Sequence, residues 1–179
     1  KHSAAMQGYE REVKRKIKKD RRLKDLYRTH ENRLPIGAGV ECMTLGTLSR
    51  FFDNTKSLPI TNAVSASFDA SKAELSSWVK AISDARNICA HFDSLLTRTQ
   101  IPSPPLKIRG LDGDNTNPFY VAVLIVRLLA REELFEDMNL CYPYIFTREL
   151  FELLDSFERY LPGSLATFGI PKNWIEILN

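Results

Sequence analysis

Cysteine is scarce and unpaired in this sequence. Cys42, Cys89 and Cys141 stand far apart, with no CxxC between them. An odd, scattered set supports neither a disulfide framework nor a zinc knuckle, so reduced, mostly buried thiols in a cytoplasmic chain are expected. Long hydrophobic runs are also missing. The longest covers about a dozen residues around 119–130, against the ~20 that a bilayer core demands, so no membrane partner is expected. No Gly-rich phosphate loop, no GxSxG elbow and no His/Cys/acid cluster at metal spacing can be found, so neither cofactor nor metal is expected. No signal peptide opens the chain, and its first residue is Lys1 rather than Met, so the native start is expected to lie elsewhere.

What is present is the composition of an ordered globular protein: 44% hydrophobic and 26% charged over 179 residues, enough for one domain plus an appended segment. The charge is unevenly placed. Residues 1–33 hold twelve Lys/Arg and five Asp/Glu, a local charge of +7 in a chain of net +3, so residues 34–179 carry −4. Residues 1–33 therefore read as a basic helical arm suited to a polyanion, with Lys14, Arg15, Lys18, Lys19 and Arg22 as the RNA-binding candidates. A solvated helix face accounts for the same charges.

The hydrophobic spacing predicts an all-α fold. A polar helix spans 9–28, Leu34-Pro35-Ile36-Gly37 breaks it, and a second helix runs to about residue 52. Residues 53–69 read as loop. Ser71-Lys72-Ala73-Glu74 is a capping box that opens a long helix over 72–96. Residues 97–117, rich in Pro and Gly, form a long connection. Asn117-Pro118 caps a helix over 119–135, apolar nearly all round and therefore central. A last helix starts at Thr147 and stops at Leu161-Pro162-Gly163. The tail, with Ile170, Trp174 and Ile177, reads as an ordered strap. The expected architecture is a bundle of four to five helices (34–179) with the basic helix before it and the strap after it.

The helix over 72–96 carries the candidate chemistry. At about 100° per residue, Leu75, Trp78, Ala85 and Cys89 cluster within about 60° of Ile82. On the same scale Arg86 lies on that stripe's flank, at about 40°, with Asn87 and His91 about 140° and 180° away. An Arg at a core edge needs a partner, and Asp84 is a local one. From spacing alone, a structural Arg beside an idle surface His is the favoured reading over a site.

Arg86-Asn87-Ile88-Cys89-Ala90-His91 resembles the R-[polar]-x-x-x-H signature of HEPN domains, helical bundles that include many metal-independent ribonucleases. The longer run from Trp78 to His91 resembles the W-[VL]-x-x-[LI]-x-x-x-R-N-x-x-A-H stretch of abortive-infection proteins of the AbiD/AbiF type. Leu34-Pro35-Ile36 through Glu41 and Leu45-Gly46-Thr47-Leu48-Ser49 is similar to that family's L-P-I-W-x-x-x-E-x-x-[ST]-[FL]-G-x-L-S block. Phe168-Gly169-Ile170-Pro171-Lys172-Asn173-Trp174 is similar to its [MF]-G-[FI]-P-x-[ND]-W close. The three segments cover roughly 34–179. Gly37 stands where the family usually has Trp. After His91 the chain runs Phe92-Asp93-Ser94 where relatives often have a second His and S-R-[LI]-W-N. Relatives also usually carry a further N-terminal region before the basic helix, so a C-terminal portion of a longer protein is expected.

The resemblance implies a metal-independent endoribonuclease of a phage-defence or toxin–antitoxin system. It also implies a homodimer that pairs two motifs in one site, and a cognate antitoxin RNA or protein as a further partner. RNA supplies its own nucleophile, the 2′-OH. A histidine exchanges protons near neutral pH, which suits His91 to acid/base work. Arg86 suits a phosphate clamp, and Asn87 can orient the imidazole or hold a phosphate oxygen. Glu41 matches a family position and, with Asp84, is a supporting acid, or simply a structural one. A non-catalytic RNA-binding or protein-interaction HEPN module is the alternative.

Overall fold

A computed structural model describes residues 2–91, 94–95, 98, 100–108, 110–111, 115–130 and 142–178. These hold ten helices and no strand, with one isolated bridge between Ile108 and Leu111. The fold is all-α, as the spacing predicts. The chain divides into two compact units, 1–72 and 73–179.

The first unit contains α1 (His2–Ile17), α2 (Arg21–Thr29), α3 (Ile36–Glu41), α4 (Leu45–Asn54) and α5 (Leu58–Ala66). Where one polar helix was expected over 9–28 there are two. Asp20 separates them because its carboxylate accepts from the Leu23 amide at 3.2 Å and so starts a new helix. The second expected helix is also divided. Thr44 caps α4 through the Thr47 amide at 3.1 Å, leaving Cys42 and Met43 between α3 and α4. The expected loop over 53–69 contains α5, since Pro59 falls in the first turn, where its missing N–H has no helical partner to lose. These divisions, the helix in the expected loop and two short helices at Ser164–Thr167 and Trp174–Leu178 in the expected strap are why the helices outnumber the four or five expected. The apolar residues of the basic segment are not idle: Val13 and Leu23 are buried with Cys42, and Tyr9, Ile17, Leu34 and Ala38 pack around them.

One polar network joins α1 to α4. Thr47 is fully buried, and a buried hydroxyl must find a partner. It donates to Glu12 Oε1 at 2.6 Å, while the Thr44 amide donates to Glu12 Oε2 at 2.9 Å and the Thr44 hydroxyl to Oε1 at 3.1 Å. Burial pushes the Glu12 carboxyl up, but the bonds from Thr47 and Thr44, with Arg15 nearby, outweigh it and leave the group below its ordinary value. A carboxyl depressed in the folded state stabilises above its unfolded pKa, and that contribution is lost as pH falls through the folded one. Glu12→Ala is therefore expected to lower stability by about 1–3 kcal/mol at pH 7. The gap to wild type should narrow below about pH 4, where a free Glu also protonates. Urea melts of both proteins at neutral and acid pH check this; a gap that does not change with pH would remove the carboxylate from the account.

The second unit contains α6 (Lys72–Ala90), which starts at the junction, then α7 (Pro118–Leu129), α8 (Tyr142–Tyr160), α9 (Ser164–Thr167) and α10 (Trp174–Leu178). α7 is central. One side places Phe119, Val123 and Val126 against Leu154 of α8 and against Leu165, Ile170, Trp174 and Leu178. Its other side places Val121 against Ala81 and Ala85 of α6 and Ile101 of the connection. The connection is held to α6 by Trp78 Nε1 donating to the Lys107 carbonyl and by the Leu106 amide donating to Ser77 Oγ. α6 ends at Ala90 rather than near 96, and α8 begins five residues before Thr147. The expected helical extensions over 92–93, at 96 and over 131–135 lie outside the described residues.

The strap is anchored by Asn117. Its Oδ1 accepts from the Phe119 amide at 2.8 Å, capping α7, and its Nδ2 donates to the Phe168 carbonyl at 2.8 Å. Gly169 follows in the left-handed region, at φ +72°, and a Cβ there would lie 2.6 Å from Asn117 Nδ2. The Phe168-Gly169-Ile170-Pro171 segment thus has a physical reason for its glycine.

Candidate functional site

The buried face of α6 comprises Leu75, Trp78, Ala81, Ser83, Ala85 and Ile88. Ile82, the expected centre, is only half-buried, and Cys89 is exposed. The stripe is turned because the small Ala81 and Ala85 meet Val121 of α7, and alanines let two helix backbones come closest. Two expectations change with it. Cys89 is an exposed thiol where a buried one was expected, while Cys42 is fully buried; Cys141 lies outside the described residues. Arg86 stands in solvent instead of on the flank of the core.

The last turn and a half of α6 therefore leaves the core. Of residues 86–91 only Ile88 is buried; Arg86, Asn87, Cys89, Ala90 and His91 are exposed. Arg86 Nη1 donates to Asn87 Oδ1 at 3.1 Å, so these two side chains are joined. His91 sits one residue past the helix end, and its amide donates to the Asn87 and Ile88 carbonyls at 3.1 and 3.2 Å. That bond fixes the backbone of His91 to the helix while its side chain faces solvent. Among the described residues the imidazole has no hydrogen-bond partner. Asp84, one of the two supporting acids, is half-buried on the same helix and, among the described residues, makes no ion pair with Arg86.

The other supporting acid, Glu41, belongs to the first unit. There its carboxylate pairs with Arg22 at 3.0 Å and its backbone carbonyl accepts from Lys16 Nζ at 3.0 Å. Of the five basic candidates, Arg22 is thus partly neutralised. Lys14, Arg15, Lys18 and Lys19 are exposed. Sequence reasoning missed Glu12 as an anchor and Tyr27 as a neighbour of the basic residues. An aromatic within a basic run was the available signal for Tyr27. Nothing local distinguishes Glu12 from a surface acid, since its partners are 32 and 35 residues away.

A family of Abi-like proteins matches this chain over residues 1–97. That is more than half of the sequence, and the chain belongs to the family. The match begins at the basic helices rather than at residue 34. It takes in both helix-starting residues, Asp20 and Thr44, and the whole of α6 with Arg86, Asn87 and His91. It ends before α7, so the Phe168–Trp174 segment stands outside it. No curated protein and no solved structure matches the chain. Membership of this family points to a role in abortive infection. Among the described residues, no helix is long and apolar enough to cross a membrane.

Proposed function

We propose that the chain is a metal-independent endoribonuclease acting in abortive infection, with Arg86, Asn87 and His91 as its working groups. The observation that carries this reading is the exposed end of α6. A guanidinium, an amide joined to it and an imidazole are displayed together on a stretch where only Ile88 is given to the core. In the reaction the 2′-OH attacks the adjacent phosphorus. The P–O5′ bond breaks, a 2′,3′-cyclic phosphate forms, and the proton taken from the 2′-OH is matched by one delivered to the leaving 5′-oxygen. His91 exchanges a proton, and Arg86 stabilises charge on the phosphoryl oxygens. Asn87, accepting from Arg86 through Oδ1, holds the clamp in position. One Arg and one His make half of such a site. Two copies of the helix end, related by a two-fold axis, supply a base and an acid together, so the working form is a homodimer.

Cleavage of labelled RNA is expected to persist in EDTA and to leave 2′,3′-cyclic phosphate and 5′-OH ends, read by end-group mapping. Loss of cutting on chelation, restored by Mg²⁺ or Mn²⁺, would falsify the mechanism. RNA that is bound but left intact by the wild-type protein points instead to a non-cutting RNA-binding module, for which the favouring observation is that the His91 imidazole has no hydrogen-bond partner among the described residues.

The basic helices are the second part of this reading. Lys14, Lys18 and Arg22 replaced together by Gln are expected to weaken RNA binding broadly and to reduce the slope of log K against log salt by about 1–2. Arg22 should contribute least, because Glu41 already shares its charge. Binding isotherms over a series of salt concentrations check this, and an unchanged slope reduces the segment to a solvated face.

A further inference from the structure

The first unit contains a groove that the α6 site does not use. It lies between α1 and the turn that follows α2, and encloses about 550 Å³, within the ~300–1,000 Å³ of small-ligand sites. Tyr9 and Val13 form its floor, where they belong to the unit's core. Lys14 stands on one wall, and Tyr27, Asn32 and Arg33 on the other. The second wall is built into the backbone. Glu31 and Asn32 are both left-handed, at φ 53° and 61°, and the Asn32 amide donates to the Tyr27 carbonyl at 2.9 Å. The Arg33 amide donates to the His30 carbonyl at 2.9 Å, so Tyr27, Asn32 and Arg33 are held in one fixed turn.

The groove's chemistry is that of a nucleotide. Tyr9 is committed to the core, edge-on to Phe51 at 5.7 Å, which leaves the half-buried Tyr27 as the aromatic surface for a base. Lys14 and Arg33 are exposed, and among the described residues neither is ion-paired, whereas Arg21 and Arg22 on the neighbouring helix have Asp25 and Glu41. Two cations with no ion pair among the described residues, beside the Tyr27 ring, suit a phosphate and its base. Asn32 and Glu10, also on the walls, offer donor and acceptor groups to a base edge. A duplex hides its base faces, so the ligand must be single-stranded.

We propose that this groove takes one nucleotide of a single-stranded RNA, its base against Tyr27 and its phosphate between Lys14 and Arg33. The site would hold the strand that the α6 end acts on, and in that respect it rests on the ribonuclease reading. Its test does not depend on cleavage.

Fluorescence anisotropy on the full chain with a labelled 12-nucleotide single strand, and with a duplex of the same length, is the measurement. Tyr27→Ala is expected to weaken single-strand binding about 5- to 100-fold, Tyr27→Phe to restore it, and duplex binding to stay within about twofold. Lys14→Gln with Arg33→Gln is expected to weaken the single strand as well. Circular dichroism melts of each variant show whether it is folded. If Tyr27→Phe fails to restore what Tyr27→Ala loses, or if single strand and duplex weaken equally, the base-stacking site is refuted. Competition by tripolyphosphate as strong as by unlabelled RNA makes the groove a general anion site and also overturns the proposal. A 5′-mononucleotide that competes as well as the 12-mer makes it a free-nucleotide site, with the same result. Should the wild-type chain bind the single strand through Tyr27 yet leave it uncut, the groove stands and the ribonuclease reading falls. Should it cut RNA while Tyr27→Ala binds normally, the reverse holds.

Discussion

His91→Ala is expected to reduce RNA cleavage by about 10²- to 10⁴-fold, the usual worth of a positioned acid or base. Its melting temperature should stay within a degree or two of wild type, because His91 is exposed and its bonds to α6 are made by the backbone amide, which Ala retains. Arg86→Ala should lose a similar amount for a different reason: a neutral side chain cannot follow the charge that builds on the phosphoryl oxygens. Arg86→Lys separates these causes. Lysine keeps the charge but not the planar fork that binds Asn87 Oδ1, so partial activity is expected. The two-fold site adds a further consequence. Mixing wild type with about a ninefold excess of His91→Ala leaves only ~10% of wild-type protomers in fully wild-type dimers if subunits exchange freely. Activity per wild-type protomer should fall well beyond simple dilution. A protein that sediments as a monomer at micromolar concentration and cuts at full rate removes the composite site, as does a mixture that retains the activity of its wild-type fraction.

Trp174→Ala is expected to have the largest effect on stability, about 3–5 kcal/mol, as is usual for removing a buried aromatic. Trp174 is 5% exposed, lies 5.2 Å from the Phe151 ring and shares a cluster with Phe119 and Val123 of α7 and Leu154 of α8. Native domains hold only about 5–15 kcal/mol in total, so this single change takes a large part of what keeps the second unit folded. Urea melts followed by circular dichroism give the measurement, and Trp78, the remaining tryptophan, supplies an independent fluorescence signal. A midpoint unchanged from wild type would mean that the strap does not contribute to the core. Trp174→Phe should recover much of the loss, because a smaller ring still fills part of the space against Phe151.

Both predictions show what the sequence could and could not carry. The strap was legible because its apolar residues recur beside a Pro and a Gly that stop α8 and bend the chain back. The left-handed Gly169 against Asn117 then explains that spacing in terms of contact distance. The candidate triad was legible as residue types at a helical interval, and Arg86 and Asn87 are indeed joined. What the interval did not convey was which way the helix faces. Periodicity weighted the large Ile82, whereas the helix turns toward α7 on its two alanines, bringing Arg86 and Cys89 into solvent. Helix ends were misplaced for a similar reason. A capping side chain acts over three residues, so Asp20 and Thr44 divide helices that look continuous in a pattern read over fifteen.

Local information alone determined that the chain is helical, that its positive charge is concentrated in the first 33 residues, that Asn117-Pro118 starts the central helix, and that a guanidinium, an amide and an imidazole follow one another within two turns of one helical segment. These depend on propensity, charge and spacing within a turn or two, which the chain carries in itself. Tertiary structure decided the rest. It placed Glu12 beneath Thr44 and Thr47 across more than thirty residues, tied Arg22 to Glu41, and set Tyr27 opposite Lys14 around a groove. Contacts of that kind depend on which surfaces meet, and burial fixes that by filling space rather than by any pattern within one segment.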